Sequence, residues 1–184
     1  TQAPPLAPGE RATVDLPVTG ATVVATALKS AANKEFWLQD AKGSLHVKLT
    51  ADAPVTIIVG SKVTFKVTTL NNYFGDKQVV GLSDMTVDGI DQPVFIDDRT
   101  NEDITIADLG KLVRLTGTLT GEGMACGGSS KCWTLEHGSK TIEFRTNRAE
   151  TVTGDCVTFV GPVGSFNGAA QIHASNWDWI WTTK

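Results

Sequence analysis

Tyrosine occurs once, methionine twice, and cysteine and histidine three times each in 184 residues. No two histidines stand at ligand spacing, so a histidine-based metal centre is not expected. No apolar run approaches the ~20 residues that a membrane-spanning helix needs. The Asn-x-Ser/Thr sequon is missing, so N-glycosylation is not implied. Gly-x-Ser-x-Gly, His-Glu-x-x-His and a phosphate-binding P-loop are missing too, and neither an enzyme nor a cofactor is expected. Positive charge is in deficit. Sixteen Lys and Arg face 20 Asp and Glu, for a net charge of -4. A general nucleic-acid coat gains its affinity by neutralising phosphates, so this balance argues against one, although it leaves room for a local basic face. No segment longer than ~8 residues keeps a 3.6-residue apolar period, which predicts few and short helices. The chain nonetheless has 41 % hydrophobic residues, enough to bury a core.

The odd cysteine count poses two questions. Cys126 and Cys132 bracket Gly-Gly-Ser-Ser-Lys, and Cys156 stands apart. A short Gly-rich loop suits a local disulfide in an oxidising compartment. Free thiols are the other reading. Zinc is disfavoured by the spacing and by the lack of a second ligand pair. Cys156 is either free or paired with another chain. The opening Thr-Gln-Ala-Pro-Pro-Leu-Ala-Pro-Gly-Glu reads as a processed N-terminus with a Pro-rich arm over residues 1–11, which supports an extracytoplasmic location.

What is abundant is β-forming sequence. Thr and Val are abundant; apolar and polar residues alternate over Val23–Ala27, Ser44–Leu49 and Lys62–Val67, and Glu35–Asp40 and Gln78–Leu82 read as strands beside turns. Asp40-Ala41-Lys42-Gly43 supplies one turn, and Asn71 to Asp76 supplies a hairpin loop. The second half repeats the first at offsets of about 92 to 96 residues. Val59-Gly60-Ser61-Lys62-Val63-Thr64-Phe65 is answered by Thr153-Gly154-Asp155-Cys156-Val157-Thr158-Phe159. Tyr73-Phe74-Gly75 is answered by Phe166-Asn167-Gly168, and Phe36-Trp37-Leu38 by Cys132-Trp133-Thr134-Leu135. The expected domains are 12–92 and 104–184, joined by an acidic linker at 93–103.

Each copy runs strand, strand, tight turn, strand, connection, hairpin. This order resembles the OB-fold, a five-stranded Greek-key barrel. It rests on Phe36-Trp37-Leu38-Gln39-Asp40 with Gly43 and Val47, on Val59 to Val63, and in the second copy on Val113 to Thr118, Cys132-Trp133 and Gly154 to Val157. The resemblance spans about Ala12 to Trp181 and is similar to tandem OB-fold domains of exported bacterial proteins. It implies an all-β chain of two consecutive barrels behind the Pro-rich arm. It does not imply an activity, because the fold hosts many.

Three groups of residues are candidate surfaces. Trp177, Trp179 and Trp181 alternate, so on one strand they would share a face, ~7 Å apart. Such a ladder serves as core, as a subunit interface or as a stacking platform. Trp37 and Trp133 hold matching places and are expected in barrel structure. Lys48, Lys62 and Lys66 fall on outward positions, with Lys42 and Lys77 nearby and Tyr73 and Phe74 in a loop; together they would make a small single-strand-binding surface or an ordinary solvated face. Asp97, Asp98, Glu102, Asp103 and Asp108 lack the spacing of a calcium loop and read as a solvated linker. Two functions follow as expectations. The first is a non-catalytic extracytoplasmic structural protein that self-associates head-to-tail into a filament or surface assembly. The alternative is a ligand-binding module for single-stranded nucleic acid or an oligosaccharide.

Overall fold

Val63, Phe65 and Val67 face inward from one long strand while Lys62 and Lys66 face out, a register shift beyond Val67 turns Leu70 inward as well, and this pattern organises the first half of the molecule. The computed structural model describes residues 5–28 and 31–183, the side chains of 177 and 183 excepted. It divides the chain into two units, residues 1–95 and 96–184.

The first unit is a closed barrel of β1 (Arg11–Thr26), β2 (Glu35–Asp40), β3 (Gly43–Lys48), β4 (Lys62–Tyr73) and β5 (Asp76–Gly89), in the order β1-β2-β3-β5-β4. All pairings are antiparallel except β3 with β5, where His46 faces Gln78 and Val47 faces Val79. β1 serves two partners. Residues 11–22 pair with β4 and 22–26 with β2, and register shifts along it supply the bends that closure needs. Val23, Phe36, Leu38, Val47, Val63, Phe65 and Val79 fill the interior. Each of these large side chains contributes roughly 1.5–3 kcal/mol on burial. The β4–β5 hairpin turns on Phe74 (φ 51) and Gly75 (φ 102), both in the left-handed region that a two-residue hairpin of this hand requires.

The Pro-rich arm is corrected in part. Residues 6–10 are held by their own barrel. Asn72 Nδ2 donates to the Leu6 carbonyl at 2.7 Å, Gly9 N donates to the Asn72 carbonyl at 2.6 Å, and Asn72 N donates to the Glu10 carbonyl at 3.0 Å. The part of the arm at residues 1–4 lies outside the described residues.

The second unit comprises β6 (Asp97–Asp98), β7 (Leu112–Ala125), β8 (Lys131–His137), β9 (Lys140–Thr146), β10 (Cys156–Pro162), β11 (Gly164–Phe166), β12 (Ala169–Ala174) and β13 (Ile180–Thr183). The pairings of the first barrel recur: β7 lies between β8 and β10, and β9 pairs in parallel with β12. Closure differs. The sheet runs β11-β12-β9-β8-β7-β10-β13 as an open path, because the counterparts of β4 and β5 are each broken in two. Leu115, Leu119, Leu135, Phe144, Val157, Phe159 and Ile172 form its interior. The β11–β12 hairpin turns on Asn167 (φ 50) and Gly168 (φ 80), the same backbone solution as Phe74-Gly75.

The acidic linker is a further correction. Asp97 and Asp98 pair with Val113 and Arg114, Arg99 N donates to the Arg114 carbonyl, and Thr116 N donates to Thr100 Oγ1. The segment thereby covers an edge of β7 that would otherwise present unpaired backbone groups. Its charges are taken by cations of the same unit. Arg99 meets Asp97, Glu102 and Asp108, Lys140 meets Asp103 at 2.8 Å, and Lys111 meets Asp108 at 2.9 Å.

Candidate functional site

Strand parity settles which side chains leave the barrel. On β2, Phe36 and Leu38 belong to the core, so Glu35, Trp37 and Gln39 face the other way. On β3, Leu45 and Val47 pack inward, so Ser44, His46 and Lys48 face out. Register then makes three cross-strand pairs, Glu35 with Lys48, Trp37 with His46, and Gln39 with Ser44.

The middle of this face is a polar network. The imidazole of His46 stacks on the Trp37 indole, with ring centroids 4.4 Å apart and planes 11° from parallel. Its Nδ1 meets Asp76 Oδ2 at 2.8 Å and its Nε2 meets Glu35 Oε1 at 3.2 Å. Lys48 Nζ donates to the same Glu35 oxygen at 3.1 Å, and Gln78 Nε2 donates to Asp76 Oδ2 at 2.7 Å. Burial alone pushes the Glu35 carboxyl up. The hydrogen bond from His46 and the charges of Lys48 and His46 overturn that and hold it at about 2. Burial likewise opposes charge on His46, but the hydrogen bonds it donates to Asp76 and Glu35 prevail, so its pKa is held above the ordinary histidine value. Asp76 is lowered in turn, burial again being outweighed by its bond to His46. The ring is an imidazolium donating from both nitrogens.

Beside this network stands the hairpin tip. Tyr73 and Phe74 are 54 % and 46 % exposed and meet edge to face at 5.0 Å. Asn72 Oδ1 accepts from Gly75 N, so the tip is braced from below.

The predicted surface residues do not converge as one patch. Lys48 belongs to the network just described. Lys62 and Lys66 lie on β4, about 36 and 23 Å along the strand from Tyr73. Lys66 Nζ is shared at 4.0 Å between Asp15 and Asp84. Lys62 and Lys66 are therefore separate from the aromatic pair, and Lys48 alone of the three stands near it.

The tryptophan ladder is corrected as well. The Asn176 side chain accepts from Asp178 N, and its carbonyl accepts from Trp179 N. This local bonding competes with the strand ladder and turns Trp177–Trp179 into a single 3-10 turn. Trp179 is 8 % exposed and packs edge-on to Phe159 at 6.3 Å, so it is core. Trp181, on β13, is 54 % exposed. The side chain of Trp177 lies outside the described residues. Trp37 and Trp133 also part company. Trp133 pairs with the core residue Phe144 as Phe36 pairs with Val47, whereas Trp37 stands on the opposite face with His46. A one-residue slip between the repeats moves a side chain to the other side of the sheet.

Cys126 and Cys132 form a disulfide, and Cys156 is a half-buried free thiol. Among the described residues no group of three His, Cys, Asp or Glu is arranged to hold a metal ion, and no helix is long and apolar enough to cross a membrane.

No protein-family model matches this sequence, and no curated protein does. Solved structures with a similar course include a tetrameric p202 HIN2 domain, at 13 % identity over 95 % of both chains with a TM-score of 0.41. An Ifi202 HINa domain in complex with 20-bp double-stranded DNA has 12 % identity over 95 % of this chain and 98 % of that one, with a TM-score of 0.43. Likenesses this distant carry no argument about what the present chain binds.

Proposed function

We propose that this chain is a non-catalytic OB-type binding module that takes a linear polymer on the β2–β3 face of its first unit and on the adjoining Tyr73–Phe74 tip. The observation that carries this is the exposed aromatic pair beside a rigid polar network on strands two and three, the part of an OB barrel that engages oligonucleotides and oligosaccharides. Both nitrogens of His46 donate to carboxylates, so the ring offers no lone pair to a reacting group, which supports a binding role over catalysis. An oligosaccharide fits ahead of single-stranded nucleic acid. Asp76, His46, Glu35 and Lys48 sum to zero charge, and carboxylate and amide groups bond sugar hydroxyls while repelling phosphates. Single-stranded nucleic acid is the second reading, favoured by the aromatic pair, which stacks bases equally well.

Head-to-tail self-association has no comparable support. Residues 6–10 of the Pro-rich arm lie on their own β4, and the tryptophan ladder, one reading of which is a subunit interface, is interrupted by the 3-10 turn. The Cys126–Cys132 bond supports an oxidising, extracytoplasmic setting.

The double variant Tyr73→Ala/Phe74→Asn tests the reading. Asn accepts the positive φ at position 74, so the turn is kept and only the aromatic surface is lost. Affinity for the bound polymer, followed by isothermal titration calorimetry against a series of oligosaccharides and oligonucleotides, should fall about 10- to 100-fold with an unchanged circular dichroism spectrum. A sugar ligand should bind independently of salt, and an oligonucleotide should weaken steeply with it. Unchanged affinity in the variant would sink the proposal.

A further inference from the structure

The two units treat the same strand edge differently. In the second, residues 112–118 of β7 have β10 on one side, and on the other the segment that begins at Asp97 runs parallel to them, pairing Asp97 with Val113 and Asp98 with Arg114. Arg99 N donates to the Arg114 carbonyl at 2.9 Å. The segment then fills the notch between β7 and the β8–β9 hairpin. His137 Nδ1 donates to the Thr100 carbonyl at 3.1 Å, Asn101 lies against Gly138, and Lys140 Nζ meets Asp103 at 2.8 Å.

In the first unit β1 holds the place of β7. Pro17 pairs with Lys66, the residue after Phe65, as Arg114 pairs with Val160, the residue after Phe159, so Pro17 stands where Arg114 does. β4 takes one side of β1 here. Among the described residues no strand takes the other side of residues 11–21. A cavity of about 400 Å³ lies there, between Val18 and Thr19 of β1 and Asp40, Lys42 and Gly43 of the β2–β3 hairpin. It occupies the position beside β1 and its hairpin that the segment from Asp98 to Asp103 fills beside β7. As the counterpart of Arg114, Pro17 offers its carbonyl to this open side, and having no N–H it discourages the edge from extending into a longer sheet. Lys42 is exposed on the hairpin and forms no ion pair among the described residues, whereas Lys140 on the matching hairpin holds Asp103.

We infer that this notch takes an extended acidic peptide strand of a partner protein, laid parallel to β1, with an N–H on the Pro17 carbonyl and a carboxylate on Lys42. Main-chain bonding to a free strand edge is a general way of capturing extended peptides. The second unit shows what the shape admits, a peptide backbone carrying carboxylates. An oligosaccharide or a nucleic acid lacks the evenly spaced N–H groups that a parallel strand edge pairs with. The inference does not rest on the binding proposed for the Tyr73–Phe74 tip.

The test uses the full chain, isotopically labelled for NMR, and an octapeptide with the sequence of residues 96–103, Ile-Asp-Asp-Arg-Thr-Asn-Glu-Asp. Titration should shift the amide signals of residues 16–21 and 40–44. A peptide N-methylated at its arginine, which removes the N–H expected on Pro17, should bind about tenfold more weakly or worse. Lys42→Glu should weaken the parent peptide several-fold and favour one with lysine in place of its last aspartate. Tyr73→Ala/Phe74→Asn should change neither result. Shifts confined to residues 112–118 would mean that the peptide only displaces the second unit's own segment, and they overturn the inference. The absence of any shift overturns it, as does equal binding of the N-methylated peptide. So does binding that appears only after residues 1–4 are removed, because the notch would then belong to the chain's own arm.

Discussion

Gly117→Ala is expected to cost the second unit about 3 kcal/mol or more, enough to unfold a marginally stable domain. Gly117 lies in β7 immediately before Thr118, the residue at which the strand exchanges one partner for the other. Thr118 faces both Cys156 of β10 and Glu136 of β8. At this corner the backbones crowd. A Cβ on residue 117 would stand 2.1 Å from the Glu136 carbonyl oxygen, 2.8 Å from its carbon and 3.1 Å from the His137 Cα. All three are backbone atoms, so no rotamer change relieves the clash, and β7 and β8 must separate. That separation would open the layer containing Leu119 and Leu135, which face each other across the two strands. Urea unfolding followed by tryptophan fluorescence reads the second unit preferentially, since Trp37 alone among the five tryptophans lies in the first. Gly89→Ala is the control, because its Cβ would meet nothing nearer than 3.6 Å. A Gly117→Ala midpoint equal to that of the unmodified chain would refute the close approach.

The corner at Gly117 illustrates what was legible in the sequence. Period-two alternation placed the start of β4 at Lys62, the apolar run Phe36-Trp37-Leu38 running into the Asp40–Gly43 turn placed Glu35–Asp40, and the Gly-bearing hairpins located the turns at Gly75 and Gly168. These are local signals, and local physics sufficed. The Cys126–Cys132 bond was readable for the same reason, since six residues of separation leave the two thiols within reach. Other features depend on contacts between distant residues. Nothing in Asp97-Asp98 announces that it will pair with Val113 and Arg114, nor in Leu6 to Glu10 that Asn72 will bond there. The tryptophan ladder was misread because alternation describes a strand only where the backbone stays extended, and Asn176 supplies the competing bonds that fold it into a turn. The polar network was hidden differently. Glu35, His46 and Asp76 sit on three strands, and the parallel pairing of β3 with β5 is what brings Asp76 to His46. In the sequence Lys48 reads as outward but Trp37 as barrel structure; carrying the parity of Lys48 to His46, and across the hairpin to Glu35 and Trp37, is the signal that could have found most of the site.

The network also yields a prediction whose sign reverses with pH. His46→Ala leaves Glu35 and Asp76, whose side chains are 22 % and 18 % exposed, without the cation between them. Removing one partner of a largely buried ion pair costs about 3–5 kcal/mol, because the remaining charge is stranded. In the unmodified chain Glu35 titrates at about 2 against an ordinary 4.5, so its contribution, about 3 kcal/mol, is complete above 4.5 and is lost as pH falls toward 2. His46 is raised above 6.5, so its contribution is complete below 6.5 and is lost as pH rises through the folded value. Between about 4.5 and 6.5 both are fully present, and the network stabilises the first unit most. In His46→Ala the imidazolium no longer holds the carboxylates ionised, and the burial that pushes Glu35 and Asp76 upward acts against fewer opponents. Acid then neutralises two stranded charges. Over the same fall in pH the unmodified first unit loses stability and the variant gains it, so the two urea midpoints converge from opposite directions. The NMR signal of the Trp37 indole N–H, against whose ring His46 stacks, reports this unit separately from the four tryptophans of the second. Parallel pH profiles for the two proteins would mean that the stacked imidazole is not the charge holding Glu35 and Asp76 together.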